Sequence, residues 1–180
     1  MTDLKMEKYL EREVKFEVQD FAEILQRLDQ NPKARLVRDW VDEKNFIFDD
    51  QSNSLREKEI LLRLRIDDKV RLTVKEKCPK QDQAGIKCKL EYEVNVSDFA
   101  TTKKILETLG FKVSLEYYKV RKVYRIKNTL ICLDKLPFGN FVEIEGDNLV
   151  ELARYLGLTW EQKITKNYLD LCQEKLNQDK

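Results

Sequence analysis

Glu11, Glu13 and Lys15 stand on alternate residues near the start of the chain, interleaved with Val14, Phe16 and Val18. Successive side chains of an extended segment point to opposite faces, so the two carboxylates and the ammonium share one face and the apolar residues the other. The spacing returns downstream. Glu91/Glu93 and Glu143/Glu145 repeat Glu-x-Glu, while Arg63/Arg65 and Lys119/Arg121 set paired cations at the same interval. Carboxylates suit hard divalent cations, and Arg and Lys suit phosphate oxygens. Strand faces that carry both point to a metal and a polyanion held together.

Composition narrows the chemistry. The 180 residues contain no histidine, which removes Ser-His and Cys-His catalysis, histidine acid–base work and any His-containing zinc site. Reactivity must come from carboxylates, Lys, Arg, Tyr, Cys or an oxygen-ligated metal. Basic and acidic residues number 34 and 33, for a formal charge of +1. That balance argues against a general nucleic-acid binder, which needs a basic excess, without excluding a local basic site. Cys78, Cys88, Cys132 and Cys172 form no C-x-x-C pair and read as reduced, buried thiols. The polar N-terminus and the absence of a ~20-residue apolar run predict a cytoplasmic protein with no membrane span.

The elements that must position these residues follow from periodicity. Strand-like segments cover Tyr9–Val18, Asn45–Asp49, Ile60–Ile66, Lys69–Lys77, Lys87–Val96, Tyr117–Ile126, Thr129–Leu133 and Phe141–Glu145. Asp67-Asp68 and Lys127-Asn128 read as hairpin turns. Helices are expected from Asp20-Phe21 to Leu28, from a Ser97 or Asp98 cap to Leu109 before Gly110, from an Asp147 cap to Leu156-Gly157, and from near Thr165 through Leu176. Val18-Gln-Asp-Phe-Ala22 and Val96-Ser-Asp-Phe-Ala100 each follow a Glu-x-Glu strand and open a helix, a short repeat that ordinary strand–helix junction chemistry also explains. No linker rich in Gly, Pro or Ser interrupts the chain, so one domain over residues 1–180 is expected.

Strand after strand shows one apolar and one densely ionised face: Arg63 and Arg65 alternate with Leu62, Leu64 and Ile66; Arg71, Thr73, Lys75 and Lys77 with Val70, Leu72 and Val74. Two architectures fit. One is an open antiparallel sheet with a solvated outer face over helices. The other closes the strands into a barrel with the ionised side inward, which is costly unless those charges pair with one another, with water or with a ligand.

The order of these pieces resembles the CYTH domains, also called triphosphate tunnel metalloenzymes. Glu11-x-Glu13-x-Lys15 is similar to the family's opening signature. Leu62-Arg63-Leu64-Arg65, Leu72-Thr73-Val74-Lys75, Glu91-x-Glu93, Lys119-x-Arg121, Leu133-Asp134 and Gly139-Asn140-Phe141-Val142-Glu143-Ile144-Glu145 resemble its later strands in sequence order. Asn167-Tyr168-Leu169-Asp170-Leu171 resembles its closing S-Y-x-x-L helix, with Asn in place of Ser. The likeness spans about residues 9–172, leaving 173–180 as a polar tail. It implies an α+β fold, an eight-stranded antiparallel closed β-barrel forming a tunnel with helices packed outside, acting on triphosphates with a divalent metal.

On that resemblance Glu11, Glu13, Glu143 and Glu145 are the candidate ligands for Mg²⁺ or Mn²⁺, and with Lys15 the candidate catalytic set. Asp134 either joins the metal or holds the basic residues, and Glu91/Glu93 either act similarly or serve as supporting ion-pair partners. Lys15, Arg63, Arg65, Lys75, Lys119 and Arg121 form the candidate triphosphate clamp. Lys166 is placed near the tunnel mouth or on exposed helix, and Lys77 at a strand end. Trp40 reads as a core or rim aromatic ahead of a base-stacking one, and Asn31 to Val41 lacks the tyrosine that some family triphosphatases pair with the signature lysine.

Water as nucleophile would give a triphosphatase acting on tripolyphosphate, thiamine triphosphate or a nucleoside triphosphate; the ribose 3′-hydroxyl of ATP attacking the α-phosphorus would give a class IV adenylyl cyclase. The segment from Asn45 through Leu55 to Arg63 resembles the compact connection of the family's triphosphatases, which favours hydrolysis. Phe141 to Glu145 and the Tyr168 helix are as similar to class IV adenylyl cyclases. A tunnel that binds nucleotide or polyphosphate without turnover is the third reading. The partner expected is a small triphosphate, with no nucleic acid or membrane, on a monomer or homodimer.

Overall fold

A computed structural model describes residues 9–78 and 85–178. Eight strands and five helices alternate in an α+β pattern: β1 (Tyr9–Val18), α1 (Ala22–Asp29), β2 (Ala34–Asp49), α2 (Ser54–Glu57), β3 (Leu61–Ile66), β4 (Val70–Lys77), β5 (Lys87–Val96), α3 (Phe99–Thr108), β6 (Lys112–Ile126), β7 (Thr129–Leu136), β8 (Gly139–Glu145), α4 (Leu149–Tyr155) and α5 (Tyr168–Gln178). The strands are hydrogen-bonded neighbours in the order β1-β5-β4-β3-β2-β6-β7-β8. The β1/β8, β3/β4, β4/β5, β6/β7 and β7/β8 pairings are all antiparallel.

Local chemistry sets most element ends. Asp20 Oδ1 accepts from the Ala22 amide at 2.8 Å, and Asp98 Oδ1 accepts from the Thr101 amide at 2.7 Å, satisfying orphan donors at the starts of α1 and α3. Gly110, at φ +94°, follows α3 and takes the left-handed turn that stops it. The α4 cap is a correction: Asn148, not Asp147, precedes the helix, at φ 54° and without a side-chain capping bond, because the Asp147 main chain is engaged with the Thr129 hydroxyl. The polar residues expected as a tail continue α5 to Gln178.

The described residues fall into two compact units. In the first (residues 9–11, 45–78 and 88–116) the β3/β4 register sets Leu62 opposite Val74 and Leu64 opposite Leu72. Leu62 and Leu64 bury against Phe48 and, from α3, Leu106, with Phe46, Phe99 and Phe111 packed around them. The alternate residues of the same strands are Arg63, Arg65, Thr73 and Lys75. In the second (residues 12–44, 85–87 and 117–178) Val14, Phe16, Ile131, Leu133, Val142 and Ile144 form a buried sheet face. It packs on Phe21, Ile24 and Leu28 of the α1 region and on Leu149, Ala153 and Leu156 of the α4 region. The other face of β1 and β8 carries Glu13, Lys15, Glu143 and Glu145. Period-two alternation thus puts an apolar face under the helices and an ionised face opposite in each unit.

The cysteines split. Cys132 and Cys172 are free and buried, as expected. Cys78 and Cys88 are joined in a disulfide, with Cα atoms 5.5 Å apart, which corrects the expectation of four reduced thiols. Lys77 faces Lys89 across β4/β5, so Cys78 and Cys88 are the next facing pair, a relation that only strand register reveals. Cys88→Ser is expected to lower stability by about 2–3 kcal/mol from loop closure alone. Urea denaturation in non-reducing buffer reads this, and a variant as stable as the parent would show that the bond does not form in solution.

Candidate functional site

The ionised face of the first unit is ordered by register. Arg63, Thr73 and Glu93 line up across β3, β4 and β5, and Lys75 faces Glu91 one pair further along. Directly opposite side chains share a face, so Glu93 becomes the centre of a basic cluster. It accepts from the Thr73 hydroxyl at 2.8 Å and lies 3.4 Å from Arg65 and 3.8 Å from both Arg63 and Arg71. Arg63 and Arg65 are only 7% and 8% exposed. Asp67 in the β3/β4 turn takes Arg71 at 3.0 Å and Arg65 at 3.5 Å. Lys75 bridges Glu11 at 2.5 Å and Glu91 at 2.8 Å. Glu91 and Glu93 are thus in ion-pair contact with the basic residues, and Glu11 sits with them.

In the second unit β1 and β8 set Lys15 opposite Glu143 and Glu13 opposite Glu145. Lys15 Nζ is 3.0 Å from Glu143, with its side chain 2% exposed. Arg121 pairs with both Glu143 and Asp134, and Lys119 reaches Asp134 at 3.2 Å. Asp134 is fully buried and also accepts from the Tyr168 hydroxyl at 2.7 Å. Burial works to raise the Glu143 carboxyl, but Lys15, Arg121 and Lys119 overcome it and hold that group well below the usual carboxylate range. Burial likewise works against the Lys15 ammonium, yet Glu143, Glu13 and Asp134 hold its pKa above its ordinary value.

A CYTH domain family model matches residues 9–151, four-fifths of the chain and the whole of both clusters up to β8. The chain belongs to the CYTH domain family. Solved structures agree on the fold. A Pyrococcus horikoshii OT3 protein is 26% identical with a TM-score of 0.77, covering 92% of this chain and 99% of its own. A second protein from that organism is 28% identical with a TM-score of 0.74, covering 89% and 98%. A Vibrio parahaemolyticus protein described as a candidate adenylate cyclase is 22% identical with a TM-score of 0.78, covering 91% and 98%. No curated protein sequence matches the chain closely enough to count as a relative.

Within the CYTH framework, the second unit adds residues that the sequence did not single out. Glu43 on β2 has 0% exposure and lies 3.6 Å from both Lys119 and Arg38; by sequence it is an ordinary charge in a mixed run. Lys87 opens β5 at 3.6 Å from Glu13. Burial, then the neighbouring Lys15 charge, pushes its pKa down to about 8, with Glu13 and Glu143 opposing. Its place ahead of the Glu91-x-Glu93 strand, at the same parity, was the available signal. Tyr168 of α5, already visible in the closing motif but beyond the matched residues, lies over Lys15 with the ring centroid 3.8 Å from Nζ.

The side chains of other candidates have partners outside these clusters. Lys166 is exposed and paired with Glu174 at 2.6 Å, and Lys77 pairs with Glu59 at the β4 end. Trp40 packs on Phe21 with ring centroids 5.7 Å apart and has the Lys135 ammonium 4.1 Å from its ring centroid, a core-edge aromatic. The Cys132 thiol is pushed up to about 12 by burial, which removes it as a nucleophile near neutral pH.

Among the described residues no three carboxylates or thiolates gather into a ready-made metal centre. The donor set nevertheless fits a hard divalent ion. Glu13 and Glu145 face each other directly on one sheet face, with Lys87 3.6 Å from Glu13, so two carboxylates stand side by side there. Both offer only oxygen, as Mg²⁺ and Mn²⁺ prefer.

Proposed function

We propose that this CYTH protein is a divalent-metal-dependent hydrolase of triphosphate compounds. The observation that carries the reading is the set of six buried or half-buried cations on strand faces: Arg63, Arg65 and Lys75 in one unit, Lys15, Lys119 and Arg121 in the other. Buried ion arrays contribute little to stability and often cost it, so their retention on every signature strand is explained by a polyanionic ligand. The strand order, with β1 and β8 paired at its two ends, supports the closed β-barrel that the family resemblance implies.

In this reading Arg63 and Arg65 grip phosphate oxygens with planar forks, and the lysines act as point charges. Glu93, Glu143 and Asp134 keep the cations ordered before substrate arrives, so little reorganisation is required when charge develops on the leaving group. Glu13 and Glu145 would hold Mg²⁺ or Mn²⁺, with Glu11 and Glu143 beside cations they already engage. The ion would neutralise phosphate charge and orient the attacking water.

Two measurements test this. Protein incubated with Mg²⁺ or Mn²⁺ and, separately, tripolyphosphate, thiamine triphosphate and ATP is followed by phosphorus NMR. Orthophosphate release is expected; cyclic AMP with pyrophosphate would make the protein a cyclase, and tight binding without products a binding module. Arg63→Ala is expected to weaken tripolyphosphate binding about 10- to 100-fold, the worth of a charged hydrogen-bonding pair, and diphosphate binding much less. Calorimetry with both ligands reads the ratio, and equal losses would remove Arg63 from the terminal phosphate.

A further inference from the structure

Lys15 is gripped by the chain segment just before and at the start of α5, not only by Glu143. The Ile164 amide donates to the Lys15 carbonyl at 2.7 Å, a bridge that lays residue 164 beside β1. Lys15 Nζ donates to the Lys166 carbonyl at 3.4 Å. Tyr168 then crosses the ammonium with its ring centroid 3.8 Å from Lys15 Nζ and 5.0 Å from Lys119 Nζ. The same side chain donates its hydroxyl to Asp134 at 2.7 Å, and Asp134 in turn holds Lys119 and Arg121.

The ring is fixed from behind. Phe141 meets it edge-on at 5.5 Å and 77°, Tyr117 lies 6.2 Å away, and Tyr168 is 6% exposed. A desolvated ammonium over an aromatic face is attracted by the ring quadrupole. One residue therefore supplies an apolar, uncharged hold on two lysines and a hydrogen bond to the carboxylate that orders them, without spending another negative charge. A further carboxylate in that place would compete with phosphate for the same cations, whereas a π face does not.

We propose that Tyr168 is a positioning residue: its ring and hydroxyl seat Lys15, Lys119 and Asp134 in the arrangement that meets phosphate, making residues 164–168 part of the anion site. The role of those lysines toward phosphate rests on the triphosphate reading; the seating itself does not.

The test uses the full chain with Tyr168→Phe and Tyr168→Leu. In the parent protein the ε-methylene protons of Lys15, assigned by their loss in Lys15→Arg, should shift upfield from the ring current. Phe should keep that shift and bind tripolyphosphate within about tenfold of the parent, having lost one hydrogen bond to the Asp134 carboxylate. Leu should abolish the shift and weaken binding about tenfold or more, beyond what Phe does. A parent protein without the upfield shift overturns the proposal with no variant needed, as does a Leu variant that binds like the parent. Affinities of Phe and Leu that fall equally also overturn it. A parent that shows the shift but does not bind tripolyphosphate keeps the seating and rejects the triphosphate reading instead.

Discussion

Glu143→Gln is expected to lower turnover of a triphosphate about a hundredfold or more and to destabilise the fold by about 3 kcal/mol at neutral pH. Gln matches Glu in shape, so the loss is one of charge. Lys15 is 2% exposed and its ammonium lies 3.0 Å from the Glu143 carboxylate; Arg121 leans on the same group. Removing the carboxylate leaves two desolvated cations with less compensation, and breaking a buried pair costs far more than an exposed one. The sign with pH follows from the direction of the shift. The folded-state pKa of Glu143 is depressed, so its contribution is complete above the unfolded carboxylate value of about 4.3 and is lost as pH falls through the depressed folded value. The stability gap between parent and variant should be full at pH 7 and close only on the acid side. Urea denaturation of both proteins from pH 7 downward measures it. A gap absent at pH 7 would mean that Glu143 does not compensate Lys15 and Arg121.

Parity was legible in the sequence and register was not. The alternation of Leu62, Leu64 and Ile66 with Arg63 and Arg65 shows which face each side chain takes, because period two depends only on neighbours. Which carboxylate meets which cation depends on strands far apart in the chain. Lys15 meets Glu143 and Lys75 meets Glu11 through pairings that local pattern does not encode. The same gap explains the Cys78–Cys88 bond and the role of Glu93, whose neighbours Arg63, Arg65 and Arg71 come from two other strands.

The most extended miss was the first part of β2. It starts at Ala34, eleven residues before the strand expected at Asn45. Leu36 and Val37 are adjacent and about half exposed each, so neither face of that stretch is fully buried and no alternation betrays it. Glu43 shows the consequence. It lies in the mixed run Asp42-Glu43-Lys44, yet it is buried against Lys119 of β6. Tyr168 was visible as a motif residue, but not as the ring over Lys15. Its position follows from the Ile164 bridge, which places the chain beside β1.

Asp134→Asn decides between the two roles the sequence left open for this residue. As a metal ligand, its loss would weaken metal activation and leave the metal-free fold nearly as stable. As the organiser of the basic residues, its loss would destabilise the metal-free fold by about 3–5 kcal/mol. Geometry favours the second. Asp134 has no exposure and receives Lys119, Arg121 and Tyr168 at once, so its lone pairs are already engaged by donors. Asn would keep one acceptor oxygen but turn an amide donor toward a cluster of donors, leaving at least one of them unpaired. Lys119 would retain Glu43 at 3.6 Å and Arg121 would retain Glu143, which sets an upper limit on the damage. Urea denaturation in chelator, alongside the metal concentration giving half-maximal turnover, separates the two roles. A stability loss of kilocalories with an unchanged half-maximal concentration makes Asp134 the organiser. Unchanged stability with a raised metal requirement makes it a ligand, and the cation network would then have to be held by Glu143 and Glu43 instead.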